Sequence, residues 1–332
     1  MQNLTVISSG VRLSRNYTDF PFDLSSRPDD AQALITRTVS ALDSAGLKDA
    51  FDLIRLCECS EQQRKLLLEE GVITENLLRS PDTGAVLLDR KRGLSIVMNE
   101  DDHLRMQAVE PSETLQKAAD EVFRLDDAFS REVTFAFDNE LGYLTACPTS
   151  TGTGMRASLQ LHLPLLTYFK QMGAVGETVG RVGLTIRGLY GEGSEALGCI
   201  YQISNQTTLG RTEEEIIRTI SAVGRQLAEK EEGMRERARE EDPTLVEDRV
   251  FRAYALLQQA RIMDMTEFYG LWSSVRMGML MGLVPDRLTT MDQMLETVQD
   301  GHLMAYFEKR MEGKELNAAR AQRIRDLLSG EA

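Results

Sequence analysis

A change of pattern near residue 210 constrains this chain most. Before it, short apolar runs bounded by turn residues alternate with helical periodicity; after it, every pattern is helical. In the first part, Ala33, Leu34, Val39 and Leu42 recur at helical spacing behind Pro28, which suits a first helical turn. "FDLIRL" reads as a strand, and "GAVLLD" and "LSIVMN" read as a hairpin around "RKRG". "HLRMQAV" is a further strand, and "TLQKAADEVFRLDDAF" is a helix after Pro111. "LGYLTACP" reads as a strand entering the loop "TSTGTG", which opens onto a helix spanning "MRASLQLHLPLLTYFKQMG". "VGLTIRGL" and "LGCIYQIS" read as strands bracketing a glycine-rich loop, whereas residues 1–27 are mixed. The segment from "TEEEIIRT" to "REED" is one long charged helix, and helical patterns continue to Ala332 with breaks near Asp242–Pro243, Pro285 and Gly313. These patterns predict a unit of strands and helices at residues 1–225 and a helical domain at 226–332.

The 332 residues, 42% apolar and 27% charged, are those of an ordinary globular protein. A formal charge of −14 argues against nucleic acid as a partner, because that backbone recruits lysine and arginine. The N-terminal segment lacks a signal-peptide core, and no window reaches the roughly 18 apolar residues of a membrane span. Among the four cysteines, only Cys57 and Cys59 are close in sequence, and their spacing is not that of a zinc knuckle. A cytoplasmic chain with reduced thiols is expected.

Arginines punctuate the strand edges: Arg12, Arg105, Arg156 and Arg187. Guanidinium is permanently charged and presents a planar fork of donors that fits phosphate. Arg156 follows a Gly/Thr loop at the start of the predicted helix, where backbone N–H groups also favour anions. Each arginine taken alone is better accounted for as a surface ion pair than as a ligand. "TGTGMR" and "GLYGEG" match neither nucleotide-loop pattern, so a structural turn accounts for each. By type alone Cys147 suits buried packing, and Glu192 a solvated charge. His103 and His162 stand in different elements and do not form a metal set. "RMGMLMGL" reads as helix-packing core and "KEEGMRERAREED" as a solvated helical face.

Four segments in order carry a resemblance: "VISSGVRLSRN", "NEDDHLRMQ", "CPTSTGTGMRAS" and "RGLYGEGSEALGCIYQISNQTTLG". Together they resemble the ATP:guanido phosphotransferase (phosphagen kinase) family, and most closely its bacterial protein-arginine kinase branch, over nearly the whole chain. The resemblance implies an α+β fold, an antiparallel sheet flanked by helices, followed by a helical C-terminal domain. "VIS" begins at residue 6, so the form implied lacks the helical domain that precedes this motif in small-guanidine kinases. The implied activity is transfer of the ATP γ-phosphoryl group to arginine side chains of proteins, with ATP and Mg²⁺ and with no metal ligand assigned to a protein side chain. By resemblance, Glu192 and Asp101 are the carboxylates that grip the acceptor guanidinium, and Cys147 is a reactive thiol beside it. The phosphate-clamping arginines map to Arg12, Arg105, Arg156 and Arg187. Nucleotide and phosphate contacts map to Ser8, Ser9, Gly10 and Val11, to Ala157, Ser158, Leu159 and Gln160, and to Gly188, Leu189, Tyr190 and Gly191. A phosphoarginine-binding pocket in this branch maps to Arg320 and Ala321. The implied partners are arginine-bearing protein substrates, a zinc-containing activator of the McsA type, the Clp protease machinery and a second copy of the chain in a homodimer.

The motifs depart from the family at telling places. Gly10 stands for an arginine, and Asp101 stands for a glutamate about 1.5 Å longer. Ser150 replaces an asparagine, Gly71 falls where a histidine is found, and Leu316 and Asn317 replace the Arg–Asp pair of the phosphoarginine pocket. Two alternatives therefore accompany the kinase: a degenerate homologue serving as a binding scaffold, and a kinase of a small guanidine compound.

Overall fold

The computed structural model describes residues 4–25, 27–111, 115–188 and 196–330. An eight-stranded antiparallel sheet dominates its first two thirds. Its strands are β1 (Val6–Arg15), β2 (Asp52–Arg55), β3 (Ala85–Asp89), β4 (Leu94–Met98) and β5 (Leu104–Glu110), a small ribbon of β6 (Phe137–Asp138) and β7 (Gly142–Tyr143) standing apart, then β8 (Met155–His162), β9 (Leu184–Gly188) and β10 (Ile200–Asn205). The order across the main sheet is β2-β3-β4-β5-β1-β8-β10-β9. The helices of this part are α1 (Pro28–Ser44), α2 (Glu61–Glu69), α3 (Glu75–Arg79), α4 (Leu115–Ser130), α5 (Pro164–Tyr168), α6 (Met172–Arg181) and α7 (Glu213–Glu241).

One face of the sheet is apolar. Val11 and Leu13 of β1, Met106 of β5, and Ala157, Leu159 and Leu161 of β8 are buried there against α1, α4 and the first half of α7. Residues directly opposite on neighbouring antiparallel strands share a face. The opposite face therefore collects the alternate, mostly polar residues. At the β3–β4 edge that second face is covered too: Val86, Leu88 and Val97 pack under Leu67, Val72, Ile73 and Leu77 from α2, α3 and the turn between them.

The central strand β8 was expected to be part of a helix, with Arg156 at its first turn. The structure corrects this. Met155, Ala157, Leu159 and Leu161 are buried while Arg156, Ser158 and Gln160 are half-buried, a period of two that only a strand provides. Helix begins only at Pro164, whose fixed φ suits a first turn. The strand expected over "LGYLTACP" is reduced to Gly142–Tyr143, followed by an irregular path to Cys147. β1, in the middle of the sheet, stood in the segment that carried no pattern. The helix from Pro28, the β3–β4 hairpin, β5, β9 and β10 fall where their patterns placed them.

α7 opens with a capping box between Thr212 and Glu215 and runs for 29 residues without a break. The division expected at 225/226 falls inside this helix. Ile216, Ile217, Ile220 and Leu227 belong to the sheet core and Ala238 to the helical core, so the handover lies between Leu227 and Ala238. Beyond Asp242 follow α8 (Pro243–Gln259), α9 (Met265–Leu280), α10 (Leu288–Thr297), α11 (Asp300–Tyr306) and α12 (Gly313–Ser329). "RMGMLMGL" lies in the core as expected, with Arg276, Met277, Met279 and Met281 buried.

Charged groups join the two parts. Arg276 on α9 is 1% exposed; it chelates Asp292 (2.7 and 3.1 Å) and donates to the Leu4 carbonyl at 2.9 Å. On the far side, His302 on α11 lies between Glu69 of α2 (Nδ1 to Oε2, 3.0 Å) and Glu296 of α10 (Nε2 to Oε1, 3.3 Å), with Glu70 and Arg90 nearby. Burial would lower its pKa, but hydrogen bonds and attraction from Glu296 and Glu69 outweigh that and raise it to about 9. A pKa raised on folding stabilises fully below the unfolded value near 6.5, and that contribution fades as pH rises through about 9. We expect His302→Gln to cost up to about 3 kcal/mol at neutral pH and most of that cost to vanish above pH 10. Urea unfolding of both proteins across this range tests it; a deficit that persists undiminished at pH 10 contradicts the charged pairing.

Candidate active site

The polar face of the sheet lines up the arginines. Cross-strand register places Arg12 opposite both Arg156 on β8 and Gln107 on β5. Ser158 is opposite Gly10 and Ser204, Gln160 is opposite Ser8 and Gln202, and Gln202 is opposite Arg187 on β9. Arg105 is opposite Ser14. Arg105, Arg12, Arg156 and Arg187 thus share one face of neighbouring strands, among serines and glutamines, and Ser8 Oγ donates to Gln160 Oε1 at 3.1 Å. Within the segments expected to contact nucleotide, Ser8, Gly10, Ser158 and Gln160 lie on this face, whereas Ser9, Val11, Ala157 and Leu159 are buried on the other.

This concentration of charge is expensive. Burial lowers the Arg12 pKa to about 10, and the neighbouring Arg105 and Arg156 push in the same direction against Glu100 and Asp101. Burial lowers that of Arg156 as well, and Arg187 adds to it, while Cys147 opposes. A cluster of half-buried cations that depress one another suits an anion that would relieve the repulsion. Arg105 is committed differently. It is 6% exposed, its Nε lies 2.6 Å from Glu100, and it donates to the Val72 carbonyl (2.7 Å) and to Gln107 (2.8 Å).

The candidate acceptor groups lie at one end of this row. Between β4 and β5 the chain reverses sharply: Asn99 takes a left-handed φ of 59° and its N–H donates to the His103 carbonyl. Asparagine tolerates that conformation better than most residues. The turn presents Asp101 at its exposed tip. Cys147 is also exposed; its carbonyl accepts from Thr145 Oγ1 (2.8 Å) and its Sγ lies 3.1 Å from Thr149 Oγ1. Glu100, Asp101, Thr145 and Cys147, together with Phe22 and Asp23, line a cavity of about 650 Å³.

A buried latch fixes this pairing, and sequence reasoning missed it. Asp102 accepts from Asn16 Nδ2 and from the Ala146 N–H, each at 2.7 Å. Asn16 Oδ1 in turn accepts the His103 N–H at 2.8 Å. One carboxylate thereby ties the Asp101 turn, the end of β1 and the residue before Cys147. His103 is part of the same support: its Nδ1 accepts the Tyr17 N–H at 2.9 Å, so Nε2 carries the proton and donates to the Pro21 carbonyl at 2.7 Å. Burial lowers its pKa, which agrees with a neutral imidazole.

The glycines of "TSTGTG" are structural. A Cβ on Gly152 (φ 123°) would stand 2.9 Å from backbone atoms of Thr208 and Leu209, and one on Gly154 (φ 65°) 2.6 Å from Ser14 O and Arg15 Nη1, so a side chain has no room at either. Of the loop that follows β9, Gly188 is described: a Cβ there would stand 3.0 Å from Ala196 Cα, so the two ends of the loop close tightly. Leu189, Tyr190, Gly191 and Glu192 lie outside the described residues. Gly10 is not required by its backbone; a Cβ there meets Ala108 O and Ser158 Oγ at 3.6 Å, ordinary contacts. Gly71, with φ 69°, ends α2. Arg320 and Ala321 are buried on α12 of the helical domain, remote in sequence from the sheet, and Arg320 spends its donors on the Val298 and Met263 carbonyls, Asn317 and Asp300.

An antiparallel sheet with an arginine-lined face, ending at a carboxylate and a thiol, can hold a polyanion beside a cation. The chain belongs to the ATP:guanido phosphotransferase family: the model of that family's C-terminal catalytic domain matches residues 33–234, and the model of the McsB protein-arginine kinase C-terminal domain matches residues 243–332. It is thereby an ATP-dependent phosphotransferase. The chain is 40% identical over 331 residues to the protein-arginine kinase of Moorella thermoacetica, covering 98% of this chain and 94% of that one. It is 35% identical over 326 residues to that of Brevibacillus brevis, covering 97% and 91%. Among solved structures it is similar to lombricine kinase (23% identity, TM-score 0.61, 70% of this chain and 68% of that one). It is also similar to the duplicated taurocyamine kinase of Schistosoma mansoni (24%, TM-score 0.63, 77% and 38%). These two share the fold. Among the described residues no helix is long and apolar enough to cross a membrane.

Asp102→Ala should cost about 3 kcal/mol, since two donors lose a charged acceptor in a buried setting, while Asp102→Asn, which keeps one acceptor oxygen, should cost less. Denaturant unfolding measures both; an unchanged unfolding free energy for Asp102→Ala rules the latch out.

Proposed function

We propose that this chain phosphorylates arginine side chains of proteins, drawing the γ-phosphoryl group from ATP. The observation that carries this reading is the convergence of Arg12 and Arg156 on the polar sheet face with Asp101 and Cys147 at its end. The protein-arginine kinases to which the chain is 35–40% identical over nearly their full length give the acceptor class.

In this reading the arginine row holds the phosphates and spreads the charge of a loose transition state, which is the main task in phosphoryl transfer. Arg12 and Arg156 act directly, Arg187 flanks them, and Arg105 holds Glu100 and the adjoining Asp101 turn. A guanidinium is a weak nucleophile, its charge delocalised and its pKa above 12. Carboxylates must therefore fix it in line with the γ-phosphorus. As the P–N bond forms, the bond from phosphorus to the β,γ-bridging oxygen breaks, ADP departs and the acceptor nitrogen gives up a proton. Asp101 takes that proton, Glu192 grips the fork from the loop after β9, and a Cys147 thiolate steadies the cation. The residues present suit an ATP polyanion. Mg²⁺, borne by the nucleotide phosphates, would supply further charge neutralisation; no protein ligand for it is assigned.

The same reading extends to the surroundings of the reaction: a cytoplasmic enzyme, a helical domain distinct from the catalytic one that pairs two copies, an activator of the McsA type, and tagged products passed to Clp proteolysis. The net charge of −14 suits basic substrates.

Incubation with Mg-ATP and an arginine-rich protein, followed by mass spectrometry that preserves acid-labile P–N bonds, is expected to locate phosphoarginine. Glu192→Ala and Asp101→Ala should each lower its rate by about 10²-fold or more. A folded wild-type protein that binds ATP and forms no phosphoarginine, with or without an activator, overturns the proposal in favour of a binding scaffold.

A further inference from the structure

α2 stands between the helical domain and the arginine row, touching both through specific polar contacts. At its outer side Lys65 pairs with Asp300 at 3.1 Å. Glu69, with its side chain 9% exposed, accepts the Gly301 N–H at 2.8 Å, the His302 N–H at 3.2 Å and the His302 ring Nδ1–H at 3.0 Å. The approach is close enough that a Cβ on Gly301 would stand 2.8 Å from the Glu69 carboxylate. Asp300, the partner of Lys65, also binds Arg320 of α12. Immediately after Glu69 the helix ends at Gly71, and the next two carbonyls turn toward the sheet. Gly71 O accepts from Gln107 at 3.3 Å, and Val72 O accepts from Arg105 Nη2 at 2.7 Å. Val72 and Ile73 are buried against Val97, so this turn cannot shift without moving what it holds.

We infer that Glu69 is a positioning residue for phosphoryl transfer, by which the helical domain fixes the end of α2 and, through the Val72 carbonyl, the guanidinium of Arg105. Arg105 in turn holds Glu100, beside Asp101. This rests on the reading of the sheet face as the nucleotide-phosphate site. The helical domain then has a part in catalysis besides any part in binding partners: with α11 unseated from Glu69, Arg105 loses the reference that aligns it with Arg12. A small displacement of a group that stabilises the transition state is costly.

The test compares Glu69→Ala with Gly278→Ala, a destabilised control in the same helical domain whose new methyl group would stand 2.2 Å from Val250. Both are assayed well below their melting temperatures. Glu69→Ala should lower kcat by about tenfold or more and leave the KM for ATP near its wild-type value, Glu69→Gln should restore part of the loss, and Gly278→Ala should leave both constants at wild-type values. Hydrogen exchange supplies a readout independent of activity: peptides covering residues 66–74 and 100–107 should exchange faster in Glu69→Ala and not in the control. A folded Glu69→Ala with wild-type kcat and unchanged exchange at residues 100–107 overturns the inference. Should Glu69→Ala not fold, His302→Ala, which removes the ring contact and leaves the Gly301 and His302 N–H groups on Glu69, should move the same readouts in the same direction by less, and no movement in it overturns the inference. A wild-type protein without phosphoarginine activity would sink the underlying reading instead, and the exchange data alone would then decide whether α2 transmits.

Discussion

Mutual repulsion among guanidinium groups on one sheet face is the constraint on which the rest of this structure depends. Arg12 and Arg156 face each other across β1 and β8; burial and then the charges of Arg105 and Arg156 lower the pKa of Arg12, and burial and then Arg187 lower that of Arg156. Side chains alone would spread apart. The sheet prevents it, because backbone hydrogen bonds on both sides of β1 and β8 fix where each Cα stands, and an apolar layer of helices holds the sheet from behind. Placing such groups on central strands rather than on loops keeps their geometry when nothing is bound, so that no reorganisation is needed when charge develops.

The remaining chemistry is attached to this frame by buried polar groups. Asp102, Asn16 and His103 tie the turn bearing Asp101 to the segment bearing Cys147, although the two lie far apart in sequence. Glu69 and Val72 do the same for Arg105 from the other side. Exposed groups that would contact substrate thus rest on buried, hydrogen-bonded ones. Arg15 shows the same economy: bidentate to Asp126 and 3.5 Å over the Tyr143 ring, it holds α4 and the β7 ribbon to the end of β1.

The sequence disclosed elements whose pattern was simple and hid those whose pattern was mixed. The β3–β4 hairpin and β5 are dense in buried β-formers, and the helix at Pro28 begins with its own signal. β1 was invisible because Ser9 and Arg15 occupy buried positions and an irregularity between Val6 and Ser8 shifts its phase. β8 looked helical because methionine, alanine, leucine and glutamine favour helices and its leucines run on into a true helix; Pro164 was the boundary signal that arbitrates. The arginines were legible as candidates, but that Arg12, Arg156 and Arg187 share one face follows from strand order, which no local pattern contains. Asn16 and Asp102 stood inside two of the quoted segments, but their pairing carried no signal, since a long-range hydrogen bond leaves none.

The most direct measurement is calorimetric titration of the intact protein with Mg-ATP, repeated with Arg12→Ala and Arg156→Ala and with AMP in place of ATP. If the sheet face is the phosphate site, each substitution weakens ATP binding by about tenfold or more, the scale of a lost charge-assisted hydrogen bond, and AMP, without the outer phosphates, binds far more weakly than ATP and is indifferent to both substitutions. Variants that fold and bind ATP as tightly as the wild type would place the nucleotide elsewhere and contradict the account.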